Sequence, residues 1–146
     1  MNHRMLRLAL IGTLACVSGA AAAEEYGGCF RVDLTQPYVL PDGSVHDPGS
    51  LTICTDRPLN PVSGTHRMTA SGTGVGRWVS RRVRSEAGPL DGPQVIFARN
   101  PNGTLRLLGY LEPAGGRVRA YAFGTLEPTV AVGAGGGADR VVLAAS

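Results

Sequence analysis

Lysine is absent from this chain of 146 residues, and all 14 basic positions are arginine. Sustained apolar spacing at i, i+3, i+4 and i+7 is missing too. With 21 glycines and 10 prolines breaking the chain every few residues, helices are excluded as the framework. No long apolar run follows residue 23, so no transmembrane segment is expected after it. A Cys-x-x-Cys pair, a P-loop and a Gly-x-Gly-x-x-Gly turn leading into a helix are all lacking. No redox or nucleotide cofactor is therefore expected, and Gly72-Thr73-Gly74-Val75-Gly76 is a glycine-rich hairpin connection. The length allows one small domain and excludes solenoids, coiled coils and large multidomain enzymes.

The first recognisable feature that is present is an export signal. Residues 1–23 carry Arg4 and Arg7, an apolar run from Leu8 to Val17, and small residues ending at Ala21-Ala22-Ala23 before Glu24-Glu25. The expectation is a secretory signal peptide cleaved after Ala23 and a periplasmic or extracellular product. Two competing readings are weaker. The run is too short for a membrane anchor. Lipidation at Cys16, after Leu14-Ala15, would have Thr13 where a large aliphatic residue belongs. Removing the leader takes two arginines and none of the 11 acids, so the formal charge drops from +3 to +1. Nucleic acid is not an expected partner at that charge.

Cleavage would also take Cys16, leaving Cys29 and Cys54, an even count in an oxidising compartment. These two are expected to form a structural disulfide. Short alternating runs between turn signals predict strands at 29–34, 38–40, 44–46, 51–55, 65–71, 76–84, 94–99, 104–112 and 117–124. The expected fold class is all-β, a small antiparallel sandwich or partly open barrel with one disulfide, occupying 24–126 as a single domain. Residues 127–146, with a Gly-Ala-Gly-Gly-Gly-Ala stretch, read as a flexible Gly/Ala-rich tail in which 140–144 has only the alternation of an edge strand.

Parity suggests where binding groups lie. Phe30, Val32 and Leu34 alternate with Cys29, and Leu51 and Ile53 with Cys54, so both cysteines should leave the core face. For the meander 94–124, four-residue turns at 100–103 and 113–116 put Phe97 opposite Arg106 and Arg106 opposite Phe123. Tyr110 then faces Arg119, Tyr121 joins the same side, and Glu112 faces Arg117. The other face, Ile96, Ala98, Leu105, Leu107, Leu111, Val118, Ala120 and Ala122, is the expected core. Only a loop of odd length would reverse these sides. The face combining Phe97, Arg106, Tyr110, Arg119, Tyr121 and Phe123 is either a solvated ladder of rings and guanidinium groups or a binding platform. A second candidate patch is the strand with Trp78, Arg82 and Arg84, which share one parity with Ser80. It reads as an edge strand protected by charge or as an anion site.

Enzyme chemistry finds little support. Ser63, His66 and Asp56 could be assembled into a nucleophile, base and orienting group, but no nucleophile elbow or oxyanion segment accompanies them. His46 and His66 have no second histidine at ligand spacing, so no metal is expected. The leading expectation is an exported, non-catalytic binding or accessory module whose partner is an envelope protein, an anionic glycan or a lipid headgroup. Alternatives from other classes are a secreted inhibitor presenting the segment 56–65 as a rigid loop, and a small secreted hydrolase.

Overall fold

The computed structural model describes residues 28–60, 63–124 and 140–146, with 57–60 described by their backbone. The expected leader and most of the expected tail lie outside these residues. Ten strands and no helix are seen among the described residues: β1 (Cys29–Leu34), β2 (Tyr38–Val39), β3 (Val45–His46), β4 (Gly49–Asn60), β5 (Ser63–Ala70), β6 (Thr73–Val83), β7 (Gln94–Arg99), β8 (Leu105–Ala114), β9 (Arg117–Phe123) and β10 (Arg140–Ala144). The all-β expectation holds, and every strand foreseen from the alternation is present.

Around the sheet the order is β1-β4-β5-β6-β9-β8, with β7 on the other edge of β8 and β10 beyond β7. The two ends meet. Arg31 N donates to Ser146 O at 2.9 Å and Ser146 N donates back to Arg31 O at 3.1 Å. This single reciprocal pair ties β1 to the residues after β10, so the sheet curls into a partly open barrel. Residues 140–146 are thus part of the wall rather than the tail, because Val141 and Leu143 place their side chains beside Phe97 and Val95 in the core. An alternating strand that completes an apolar interior gains burial that a solvated tail would forgo.

β1 shows the rule that builds the wall: Phe30, Val32 and Leu34 are buried while Cys29, Arg31 and Asp33 are exposed. The interior collects these side chains with Tyr38, Leu40, Leu51, Ile53, Met68, Val95, Phe97, Leu105, Leu107, Tyr110 and Phe123. Each large apolar side chain buried here contributes about 1.5–3 kcal/mol. On the outside of β7, β8 and β9 a second cluster, Ile96, Leu108, Leu111 and Ala120, is covered by the connection carrying Ala87 and Leu90. Cys29 and Cys54 are directly opposed in the β1–β4 ladder and bonded, outside the core as parity required. Their separation of 25 residues corresponds to about 3–4 kcal/mol of chain-entropy stabilisation.

The meander departs from the sequence reading at two points. Arg99 pairs with Leu105, so the β7–β8 connection has odd length, closed by Asn100 N to Thr104 O at 2.8 Å and by Gly103 at φ 85°. Sides are therefore reversed on entry to β8: Phe97 faces Leu107, and Arg106 points the opposite way. A bulge then reverses them again. Ile96 pairs with Gly109 while Phe97 pairs with Leu107, leaving Leu108 as the extra residue. Gly109 is required there, since a Cβ would run into the carbonyl oxygen of Tyr121 on β9. Beyond the bulge the sequence parity is restored, and Tyr110 pairs with Tyr121 and Glu112 with Arg119 across a two-residue Gly115-Gly116 turn. The aromatic face is thus the inside of the barrel, and the aliphatic face is divided between the interior (Leu105, Leu107) and the outer cluster (Ile96, Leu111, Ala120).

Candidate functional site

Phe97, Tyr110 and Phe123 are buried in the core and form no exposed platform. Burial follows from the curling of the sheet, which turns the face bearing the rings inward. Trp78 is half-buried against the same core, its ring lying over Gly76, where a Cβ would come within 2.8 Å of the indole. Of the residues singled out in the sequence, Arg82, Arg84, Arg106 and Arg119 are exposed and Tyr121 is half-buried. Arg106 lies apart from the others, on the outer side of β8 at the opposite end of that strand from Glu112.

The structure merges the two patches separated in the sequence. β6 and β9 are neighbours, with Arg82 paired to Tyr121 and Ser80 to Phe123. Arg82 and Arg119 consequently flank Glu112, whose carboxylate lies 4.0 Å from the Arg119 guanidinium and accepts a hydrogen bond from the Tyr121 hydroxyl. Burial pushes the Glu112 carboxyl above its ordinary range, against the opposing pull of Arg119, the Tyr121 hydrogen bond and Arg82. Burial likewise raises the Tyr121 phenol, and Glu112 adds to the rise. Arg117 lies two residues before Arg119 on the same side of β9, and Arg84 lies one residue past the end of β6. This end of the barrel therefore carries four exposed arginines near a single partly sheltered carboxylate. Such a rim can take an anion: guanidinium forks match carboxylate and phosphate oxygens and bind them in pairs of hydrogen bonds.

Inside the barrel beneath the rim lies a polar network that parity alone did not flag. His66 is fully buried, with Nε2 2.6 Å from Ser80 Oγ and Nδ1 3.2 Å from Thr55 Oγ1. Tyr110 also hydrogen-bonds Thr55. The imidazole meets the rings of Tyr110 and Phe123 edge-on, at centroid distances of 5.2 and 5.3 Å. Burial lowers its pKa to about 4, with Asp56 pulling weakly the other way, so it is neutral at physiological pH. Two hydroxyls satisfy both ring nitrogens, as a buried neutral histidine requires. The serine–histidine contact has the reach of a nucleophile and base, but Ser80 and His66 are both sealed from solvent and the third member is a threonine. The signal available in the sequence was the shared parity of His66 with Met68 and Ala70, an apolar face.

Ser63, His66 and Asp56 do not come together as a triad. Asp56 occupies a bulge in β4, where it pairs with Arg77 at 3.6 Å and Arg67 at 3.8 Å, both exposed. Ser63 opens β5 and pairs with Arg81. Among its described residues the segment 56–65 is largely ladder, with β4 running to Asn60 and β5 starting at Ser63, so paired strands stand where a loop was expected. His46 is held in the β2–β3 hairpin by Ser44 Oγ at 3.0 Å and stacks on Tyr38 at 5.4 Å. Among the described residues, no group of three or more His, Cys, Asp or Glu could hold a metal ion, and no helix is long and apolar enough to cross a membrane. No protein-family model, curated protein or solved structure matches the chain.

Proposed function

We propose that this is an exported, non-catalytic binding module of the cell envelope or extracellular space, and that it captures an anionic glycan through the arginine rim. The observation that carries the reading is the convergence of Arg82 and Arg119 on Glu112, with Arg84 and Arg117 exposed beside them. A near-neutral protein with one locally basic end attracts polyanions at that end, and multiple guanidinium contacts add up along a repeating chain. Export is supported by the leader-like residues 1–23 and by the Cys29–Cys54 disulfide, which suits an oxidising compartment. The rim is built on paired strands tied by hydrogen bonds, which keeps the charges in place and limits the ordering cost of binding.

The test uses fluorescent polygalacturonate and the oxidised, exported protein. Wild type is expected to bind with an affinity that falls as salt rises. Arg82→Ala combined with Arg119→Ala should weaken binding by about tenfold or more, taking about 1.5–3 kcal/mol for the lost charged hydrogen bonds. Glu112→Gln should act in the opposite direction and tighten it. Binding that is unchanged in both variants refutes the rim, and retention by phosphatidylglycerol vesicles with no glycan binding would move the assignment to a lipid headgroup.

A further inference from the structure

The arginine rim has an acid at its centre. Glu112 stands on β8 directly opposite Arg119 of β9, and its carboxylate, 33% exposed, lies 4.0 Å from the Arg119 guanidinium. Tyr121, two residues further along β9, donates its hydroxyl to the same carboxylate. Arg82 acts on it from β6, where it pairs with Tyr121. On the remaining side β7 ends at Gln94, an uncharged residue paired with Leu111. Arg117 precedes Arg119 by two residues on β9, and Arg84 and Glu86 follow the end of β6, all three exposed. Shelter from water disfavours the charged form of Glu112 and outweighs Arg119, the Tyr121 hydrogen bond and Arg82, so its carboxyl titrates above the ordinary range.

We propose that a proton on Glu112 gates the rim: charged, the carboxylate occupies the guanidinium groups of Arg82 and Arg119, and protonated, it leaves them to the incoming polyanion. The inference rests on the reading of this rim as an anion site and adds its regulation. An anion held by those two guanidinium groups brings a second negative charge close to Glu112, in a place partly shielded from water where like charges repel strongly. A proton taken from solvent onto one carboxylate oxygen removes that repulsion, while the other oxygen still accepts from the Tyr121 hydroxyl. The coupling is reciprocal: protonation of Glu112 favours the anion, and the bound anion favours the proton on Glu112 by the same factor. Capture therefore tightens as pH falls through the raised range of Glu112 and weakens as pH rises above it.

Binding of fluorescent dextran sulfate to the oxidised, exported protein between pH 7.5 and 5.0 at constant ionic strength tests it, because sulfate esters stay charged throughout. His66, with its pKa lowered to about 4, stays neutral over this range, and circular dichroism at each pH checks that the barrel is folded. Wild type should bind about fivefold or more tightly at pH 5.0 than at 7.5, the lower end of ordinary coupling between sites. Glu112→Gln should bind at pH 7.5 as wild type does at 5.0 and show a nearly flat profile. Glu86→Gln, which removes an exposed acid on the connection after β6, should keep the wild-type profile. Calorimetry at pH 5.5 in two buffers of different ionisation enthalpy should show fractional proton uptake on binding by wild type, and Glu112→Gln should lose it. Binding by wild type that is independent of pH, an equal slope in Glu112→Gln, or binding without proton uptake overturns the gate and leaves the rim standing. Absence of binding at every pH in wild type and Glu112→Gln alike overturns the rim itself, and the gate with it.

Discussion

Mild acid should destabilise this barrel through one residue. The folded state holds His66 neutral, with its pKa lowered from 6.5 to about 4 by burial. Above pH 6.5 the imidazole is neutral in folded and unfolded chains alike, and contributes no pH dependence. Between pH 6.5 and about 4 the unfolded chain takes up a proton that the folded chain refuses, so stability falls by about 1.4 kcal/mol per pH unit. The loss is complete near pH 4 and totals about 3 kcal/mol, a large share of the roughly 5–15 kcal/mol typical of a folded domain. Urea unfolding of the oxidised protein at pH 7.5, 5.5 and 4.0, compared with His66→Gln, measures it. The variant should be less stable at pH 7.5, because Ser80 or Thr55 loses its partner, and should show a pH dependence flatter by that same amount. Glu112 acts with the opposite sign, since its raised carboxyl favours folding as pH falls, but it is common to both proteins and cancels. Parallel pH profiles for the two proteins, or a His66 ring proton titrating near 6.5 in the folded state, would refute the reasoning.

Two further substitutions probe the frame. Gly109→Ala puts a methyl group against the Tyr121 carbonyl across the β8–β9 ladder and should cost at least about 1–3 kcal/mol in urea unfolding; a loss under 0.5 kcal/mol would mean the bulge relaxes freely. Replacing Cys29 and Cys54 together by serine should lower stability by about 3–4 kcal/mol and leave the circular dichroism of the folded state unchanged, whereas a loss under 1 kcal/mol would show that the unfolded chain is little constrained by the bridge.

Much of the barrel was legible from alternation. Phe30, Val32 and Leu34 against Cys29, Arg31 and Asp33 told both the face and the side on which the disulfide would lie, because strand parity is a local property. The turn residues were equally direct, with Gly103, Gly115 and Gly116 all at positive φ where reversals were expected. Arg106 was misplaced for a specific reason. The side of a strand depends on the count of residues in the loop before it, and the odd 100–104 connection could not be told from a four-residue turn by composition. The bulge at Leu108 hid the error beyond it, so Tyr110, Tyr121 and Phe123 were correctly grouped while the direction of their common face was missed. That face was read as open because arginines accompany the rings. In fact Arg119 sits beside Glu112 at one end of the barrel, and Arg106 points outward from the other end of β8.

By itself the sequence determined an all-β framework, the pairing of Cys29 with Cys54, and which side chains travel together along each strand. These follow from backbone preferences and period-two alternation, which act over a few residues. Only the tertiary structure decided which face is inside, since that depends on the curl of the whole sheet and on Ser146 meeting Arg31. It also brought Arg82 to Glu112 and Arg119, and buried His66 between Ser80 and Thr55. Each of these joins strands distant in the chain, and contacts of that kind are set by packing rather than by any local pattern.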